Sequence, residues 1–240
     1  MQPRYIIRPP GMFSTAKRLA VALGVKTRVA RPGREASWNK DLFLFYPAAT
    51  TQFNEGYFSV AGFFQDTKFG QRQALEEYGL PIPAWKGQPG ATYVVRPLNH
   101  TQGRGFRVTA DPDDYIQERE YISVLFPKTH EYRMIFVFGR LACLLTKRGK
   151  DGKKPPQNVP WGHQNTNFVT IPYERSNLAV HTDALELLSS NPVIKTAHYV
   201  GVDILYNKET RQWAVCEFNS CPALTIPENI QAVTQIIKEH

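Results

Sequence analysis

The chain has 240 residues, 42% hydrophobic, 12% aromatic and 21% charged, with a formal net charge of +8. Fourteen Phe, eleven Tyr and four Trp exclude disorder as the main state. The longest apolar stretch, Met134 to Leu145, is twelve residues with Arg140 inside it, too short for a membrane span. Three cysteines (Cys143, Cys216, Cys221) make no disulfide framework, and Met1-Gln2-Pro3-Arg4 has no apolar signal core, so a reducing, cytoplasmic setting is expected. The charge is uneven: residues 1–40 hold nine Lys or Arg against Glu35 alone, while the remaining 200 residues hold 20 basic and 20 acidic side chains. Nucleic-acid binding as a property of the whole surface is thereby excluded.

Tyr5-Ile6-Ile7 predicts a short strand ahead of the breaker Pro9-Pro10-Gly11. Ser14 reads as an N-cap for a helix whose apolar face carries Ala16, Leu19, Ala20 and Leu23, stopped by Gly24. Asp41 to Tyr46 predicts a buried strand, and Lys68 to Tyr78 a helix closed by Gly79 and the Pro81/Pro83 pair. Tyr93-Val94-Val95 and Phe106-Arg107-Val108 flank a glycine loop, the pattern of a hairpin. Met134–Phe138 and Leu141–Leu145 predict a second hairpin, with Gly139-Arg140 as its two-residue turn. Residues 148–168 read as a long polar loop, the kind usually kept for function. Thr182–Ser190 reads as helix, Gly201–Tyr206 and Trp213–Phe218 as strands, and Ile226–Lys238 as a closing helix. The order predicts an α+β fold with a mainly antiparallel sheet in the second half.

Glu217 and Asn219 are two apart on an extended chain and project to one face. If the strands around Asn207–Gln212 pair antiparallel, Asp203 meets them there. Two carboxylates and an amide oxygen suit magnesium with phosphate oxygens completing its shell. The same residues also suit cross-strand ion pairs on a solvated face, and spacing does not choose between the two. Tyr93 to Gly105 places Arg96 at a strand end before the G-x-G of Gly103 and Gly105, where backbone N–H groups can approach phosphates, though most such turns are simply hairpins. Glu131-Tyr132-Arg133 opens a strand, and Lys147-Arg148 ends its hairpin partner. The six histidines show no zinc-ligand spacing.

Taken in order, these pieces resemble the ATP-grasp superfamily over roughly residues 60 to 240. Asp66-Thr67-Lys68 with Leu75 to Pro83 is similar to the family's "DK…L…GIPVP" segment, and Val94 to Gly105 to its "VVKP…GxG" phosphate loop. Glu131-Tyr132-Arg133 resembles the strand start of the ligases that add glutamate to ribosomal proteins. Gly201–Leu205 and Glu217–Leu224 resemble "GVDIL" and "EVNASPGL". The chain is also similar to short phage-like members. Arg96 stands where the family usually has Lys, and Cys221-Pro222-Ala223 replaces its small-residue-Pro-Gly turn.

The resemblance implies an ATP-grasp fold with two lobes holding ATP, residues 63–126 and 127–240, preceded by a small basic α/β domain over residues 1–62. It assigns Lys68, Arg96, Gly103 and Gly105 to the phosphates and Asp203, Glu217 and Asn219 to Mg2+. Tyr121, Ile122 and Ser123 fall in the adenine clamp, with Gln117-Glu118 as another register. Arg133 and Arg148 fall near the reacting carboxylate. The implied reaction is ADP-forming carboxylate–amine ligation through an acylphosphate, on a small-molecule or peptide acceptor; the basic charge of residues 1–40 predicts that this acceptor is acidic and steered by that segment. A rival from another class is a nucleotide-binding module that does not turn over and binds nucleic acid or an acidic partner through residues 1–40.

Overall fold

The computed structural model describes residues 5–8, 14–29, 42–44, 67–87, 89–98, 105–149, 166–171, 173–176, 182–219 and 222–240. The described strands form three sheets. The first is parallel throughout, with β1 (Tyr5–Arg8) between β2 (Lys26–Val29) and β3 (Leu42–Leu44). Helix α1 (Ser14–Leu23) makes the crossover from β1 to β2, burying Ala16, Leu19 and Ala20, and Gly24 ends it at φ +69° as a residue without Cβ can.

Helix α2 (Lys68–Glu77) starts where Thr67 Oγ1 accepts from Gly70 N at 3.0 Å. Its last turn closes with Leu80 N donating to Leu75 O and Gly79 N to Glu76 O, while Leu75 and Leu80 pack together in the core. In the second sheet β4 (Tyr93–Pro97) lies between β5 (Arg107–Thr109) and β6 (Glu120–Val124), antiparallel to both, so β6 is an edge strand. Lys68 N donates to Leu98 O at 3.1 Å and ties the start of α2 to the end of β4.

The third sheet has five antiparallel strands in the order β11-β10-β7-β8-β9: β7 (His130–Val137), β8 (Arg140–Gly149), β9 (Thr166–Ile171), β10 (Tyr199–Tyr206) and β11 (Trp213–Asn219). One face carries Tyr132, Met134, Phe136, Val202, Ile204 and Phe218, and is covered by Leu188 of α3 (Thr182–Ser190) and by Val193 and Ile194 of α4 (Pro192–Thr196). On the other face, Ile135, Val137 and Cys143 pack against α1 and against Val233, Ile236 and Ile237 of α5 (Pro227–Glu239). That second face changes character along β7. Beyond Ile135 it is apolar, whereas Glu131 and Arg133, on the same side of the pleat, are charged and buried. The outer edge of β11 is capped by α2 and the segment after it, since Gln71 Oε1 accepts from Phe218 N and Pro81 O from Val215 N.

The sequence reading does not include β2 or α4, and two further details depart from it. The β7–β8 turn is Phe138-Gly139, both at positive φ (47° and 75°), and Arg140 already belongs to β8. The His240 ring stacks on Phe138 at 3.9 Å between centroids, which helps hold a non-glycine residue in that conformation. The predicted 148–168 loop is strand at both ends, through Gly149 and from Thr166. Its middle lies outside the described residues, as do Gly103, Asp66 and Cys221.

Candidate active site

The charged half of the five-stranded sheet is built by register. Asp203 of β10 lies directly opposite Glu217 of β11 on one side and Arg133 of β7 on the other, while Asn219 lies opposite Gly201. A β-bulge makes this possible. Asp203 pairs with Glu217 but Ile204 pairs with Val215, so Cys216 is an extra residue. Without it the count from the Tyr206–Trp213 pair would put Cys216 opposite Asp203 and turn Glu217 and Asn219 to the other face. The side chains confirm the shift, because Val215 and Phe218, three apart, share the same core.

Arg133 Nε and Nη2 donate to Asp203 Oδ1 and Oδ2 at 2.5 and 2.6 Å, a forked pair whose side chains are 7% and 6% exposed. Burial pulls the Arg133 guanidinium down, but the Asp203 carboxylate outweighs it and the net shift is upward. Burial pushes the Asp203 carboxyl up, and Arg133 offsets only part of that, with Glu217 and Glu131 adding to the rise. Lys68 Nζ lies 3.0 Å from Glu217 Oε2, so the first turn of α2 reaches the same carboxylate pair. Lys68, Arg133 and the two acids therefore meet as ion pairs, the Arg133–Asp203 pair away from bulk water and the Lys68–Glu217 pair half-buried. Gly201, next to this group, lets Pro222 approach closely: a Cβ there would stand 2.8 Å from Pro222 Cβ.

Beside this group lies a second buried cluster that sequence reasoning missed. Glu131 accepts from Lys128 Nζ at 2.9 Å and from Lys147 Nζ at 2.8 Å. Lys147 takes the position expected for Arg148. A bulge at Ala142 (Ile135 pairs with Cys143, Phe136 with Leu141) shifts β8 by one residue. Lys147 thus turns to the face of Glu131 and Arg133, while Arg148 is exposed on the opposite face. Arg148, expected with Arg133 near the reacting carboxylate, thus lies on the other face of the sheet from Arg133.

On the smaller sheet, Arg96 pairs in register with Tyr121 and donates from Nη1 to Ser123 Oγ at 2.8 Å. Tyr121 and Ser123 share the Arg96 face, whereas the Ile122 side chain is buried with Tyr93 and Val95 on the other. Gln117-Glu118 lies in an exposed turn, which removes the alternative register for a strand. Gly105 is at φ +75°, and a Cβ there would stand 3.0 Å from Pro97 Cγ. Arg72, one turn beyond Lys68, is a further buried cation with no sequence signal beyond its i, i+4 spacing from Lys68.

Asp203, Glu217 and Asn219 fit a hard divalent cation. They offer carboxylate and amide oxygens on one face of the sheet, the hard donors such a cation takes. Among the described residues no group of three or more His, Cys, Asp or Glu is placed to hold a metal. Cys143 and Cys216 are free thiols whose pKa values burial pushes up to about 12 and about 11, which leaves them protonated.

No family model matches the sequence, and no curated protein sequence does. Solved structures match its fold. D-alanine–D-alanine ligase from Bacillus anthracis is 14% identical over 100% of this chain and 99% of its own, at a TM-score of 0.55. The ATP-grasp ligase PsnB, complexed with a phosphomimetic variant of minimal precursor, Mg and ADP, is 12% identical over 99% of each chain, at 0.57. N5-carboxyaminoimidazole ribonucleotide synthetase from Thermotoga maritima is 14% identical over 93% of this chain and 69% of its own, at 0.53. The chain has the ATP-grasp fold.

Proposed function

We propose that the chain is an ATP-dependent, ADP-forming ligase that joins a carboxylate to an amine. The observation that carries this reading is the convergence, on one face at the edge of β11, of Asp203, Glu217 and Asn219 with the cations Lys68 and Arg133. The solved neighbours of this fold are ligases and synthetases, one of them complexed with ATP and another with Mg and ADP. On this reading residues 63–126 and 127–240 are the two lobes, and residues 1–62 present the acceptor.

Asp203, Glu217 and Asn219 would hold Mg2+, which supplies positive charge to phosphate oxygens. Lys68 and Arg96, with the backbone of the loop that includes Gly103 and Gly105, orient the triphosphate. The edge strand β6, at Tyr121 to Ser123, receives the base. The substrate carboxylate attacks the γ-phosphorus, the bond to the β–γ bridging oxygen breaks and ADP leaves. The amine then attacks the acyl carbon, phosphate departs, and the amine loses its proton. Both reacting groups come from substrates, in keeping with protonated thiols at Cys143 and Cys216. Arg133 stabilises oxygens of the acylphosphate, and the Asp203 and Glu217 partners of Arg133 and Lys68 keep these cations aimed at the site between turnovers. The acceptor is acidic, a Glu-rich peptide or a phosphorylated molecule, drawn by the basic residues 1–40; the reaction is cytoplasmic, where the thiols stay reduced.

ADP release from ATP and Mg2+ with pooled amino acids and acidic peptides tests this. Asp203→Asn and Glu217→Ala should each lower it by about 100-fold or more. Undiminished turnover in both would remove the site. A stable phosphorylated product in place of an amide would remove the ligase chemistry.

A further inference from the structure

The most buried cation outside the pairs already described is Arg72 of α2. It is 5% exposed, and its Nε and Nη2 have no hydrogen-bond partner among the described residues. Its guanidinium carbon lies 4.5 Å from the centroid of the Trp85 ring, and Trp85 is itself fixed by donating Nε1–H to Glu76 Oε2 at 2.7 Å. Phe69 lies 5.5 Å from Trp85 and 5.8 Å from Tyr121, and Arg96 stands 6.0 Å over Tyr121. A continuous aromatic wall thus connects the two arginines. Stacking holds the flat face of Arg72 on Trp85 and leaves its edge, where Nε–H and an Nη2–H point side by side, for something else.

The nearby acids make no hydrogen bond to the Arg72 edge. Glu76 accepts from Trp85 and acts on Arg72 only weakly through its charge, and Glu217 is held by Lys68. Of the other groups close to Arg72, Tyr121 and Cys216 are neutral, with pKa values that burial raises to about 12 and about 11. Among the described residues, Arg96 donates to the neutral Ser123 hydroxyl and to no carboxylate. Burial and then the proximity of Arg96 pull the Arg72 pKa down to about 10, so it stays charged near neutral pH. Buried donors on a charged group are normally satisfied, and two guanidiniums sharing one neutral wall call for an anion. A base edge is neutral and leaves both charges uncompensated. A phosphate group has enough charge and enough oxygens to be gripped by both forks.

We propose that Arg72 and Arg96 form a two-guanidinium seat for a phosphate group of the bound nucleotide, in addition to the contacts made by Lys68. This rests on the nucleotide-site reading above. Arg72 is a binding residue in this scheme, and the orphaned edge nitrogens are what it offers.

Calorimetric titration of the full chain with Mg2+-ADP, adenosine and inorganic phosphate tests it, with circular dichroism and a thermal midpoint recorded for each variant. Arg72→Gln should weaken ADP binding at least tenfold and change adenosine binding less than twofold. The ligand-free variant should melt no lower than the wild type, because a buried unpaired charge has been removed. Arg72→Lys, which keeps the charge but loses the fork, should weaken ADP at least threefold; it carries the test if Arg72→Gln does not fold. Equal loss of ADP and adenosine, or a folded Arg72→Lys with wild-type ADP affinity, would make Arg72 a prop for Trp85 and overturn the seat. A wild type that binds phosphate but neither ADP nor adenosine would overturn the nucleotide reading and this assignment with it. A wild type that binds ADP while folded Arg72→Gln binds it equally would overturn only the assignment.

Discussion

Replacing Glu131 with Gln removes the one carboxylate between Lys128 and Lys147 while keeping the side chain's shape. The three side chains are at most 7% exposed, and the two Nζ–Oε distances are 2.9 and 2.8 Å. At an effective permittivity near 20, each contact carries about 6 kcal/mol of Coulomb attraction. Most of that is offset by the cost of taking three charges out of water, so the intact triad contributes little net stability. Its disruption is another matter: two ammonium groups are left buried and facing each other, at a cost of about 3–5 kcal/mol. In urea unfolding this should move the midpoint down by about 1–2 M. Burial raises the Glu131 pKa, but the two lysines outweigh it and hold the folded value below the ordinary one. The unfolded chain therefore binds more protons in acid. The stability Glu131 confers is complete above the ordinary glutamate value of about 4.3 and is lost as pH falls below it towards the folded value. That acid limb should be shallower in Glu131→Gln. The triple variant Glu131→Leu, Lys128→Met, Lys147→Met should regain most of the loss. A Glu131→Gln cost under about 1 kcal/mol would refute the reasoning, since only a solvent-screened triad behaves that way.

Gly201→Ala should cost about 1–3 kcal/mol, because the new methyl would stand 2.8 Å from Pro222 Cβ. It should also lower ADP release, as the displaced Pro222 lies three residues beyond Asn219; a normal melting midpoint with normal release would count against the close packing. His198 is held neutral, with burial and then His240 pulling its pKa down to about 4. The unfolded state takes up the extra proton first, so stability should fall by about 1 kcal/mol per unit as pH drops from about 6.5 to about 4, and His198→Gln should flatten that slope. Reversing Arg28, Arg31 and Arg34 to Glu should weaken acceptor binding and its salt dependence. Of these, Arg28 is exposed over the Tyr5 ring, and the other two lie outside the described residues. Acceptor KM unchanged at both low and high salt would refute the steering.

Much of the fold was legible in local pattern. Helix α2 announces itself by Gly79 and the Pro81/Pro83 pair after it, and the β7–β8 hairpin by two apolar runs around Gly139. The hairpin turn was misplaced by one residue because Phe138 gives no sign of tolerating positive φ; the stacked His240 that supports it comes from the far end of the chain. Arg72 and Lys128 were invisible for a related reason. A lone cation on an amphipathic segment reads as solvated, and only packing against Trp85 or Glu131 shows that it is buried.

Residue identity determined the chemistry on offer: two carboxylates and an amide in two adjacent strands, cations on α2, β4 and β7, and the alternation that sends Glu217 and Asn219 to one side. Which side that would be was decided only by the tertiary structure, through two bulged residues. Cys216 brings Glu217 opposite Asp203, and Ala142 exchanges Arg148 for Lys147 on the face of Arg133. The physical reason is parity. Side chains alternate every residue, so one extra residue in one strand flips everything beyond it, and a small residue in an apolar run carries no mark that the partner strand will pass it by.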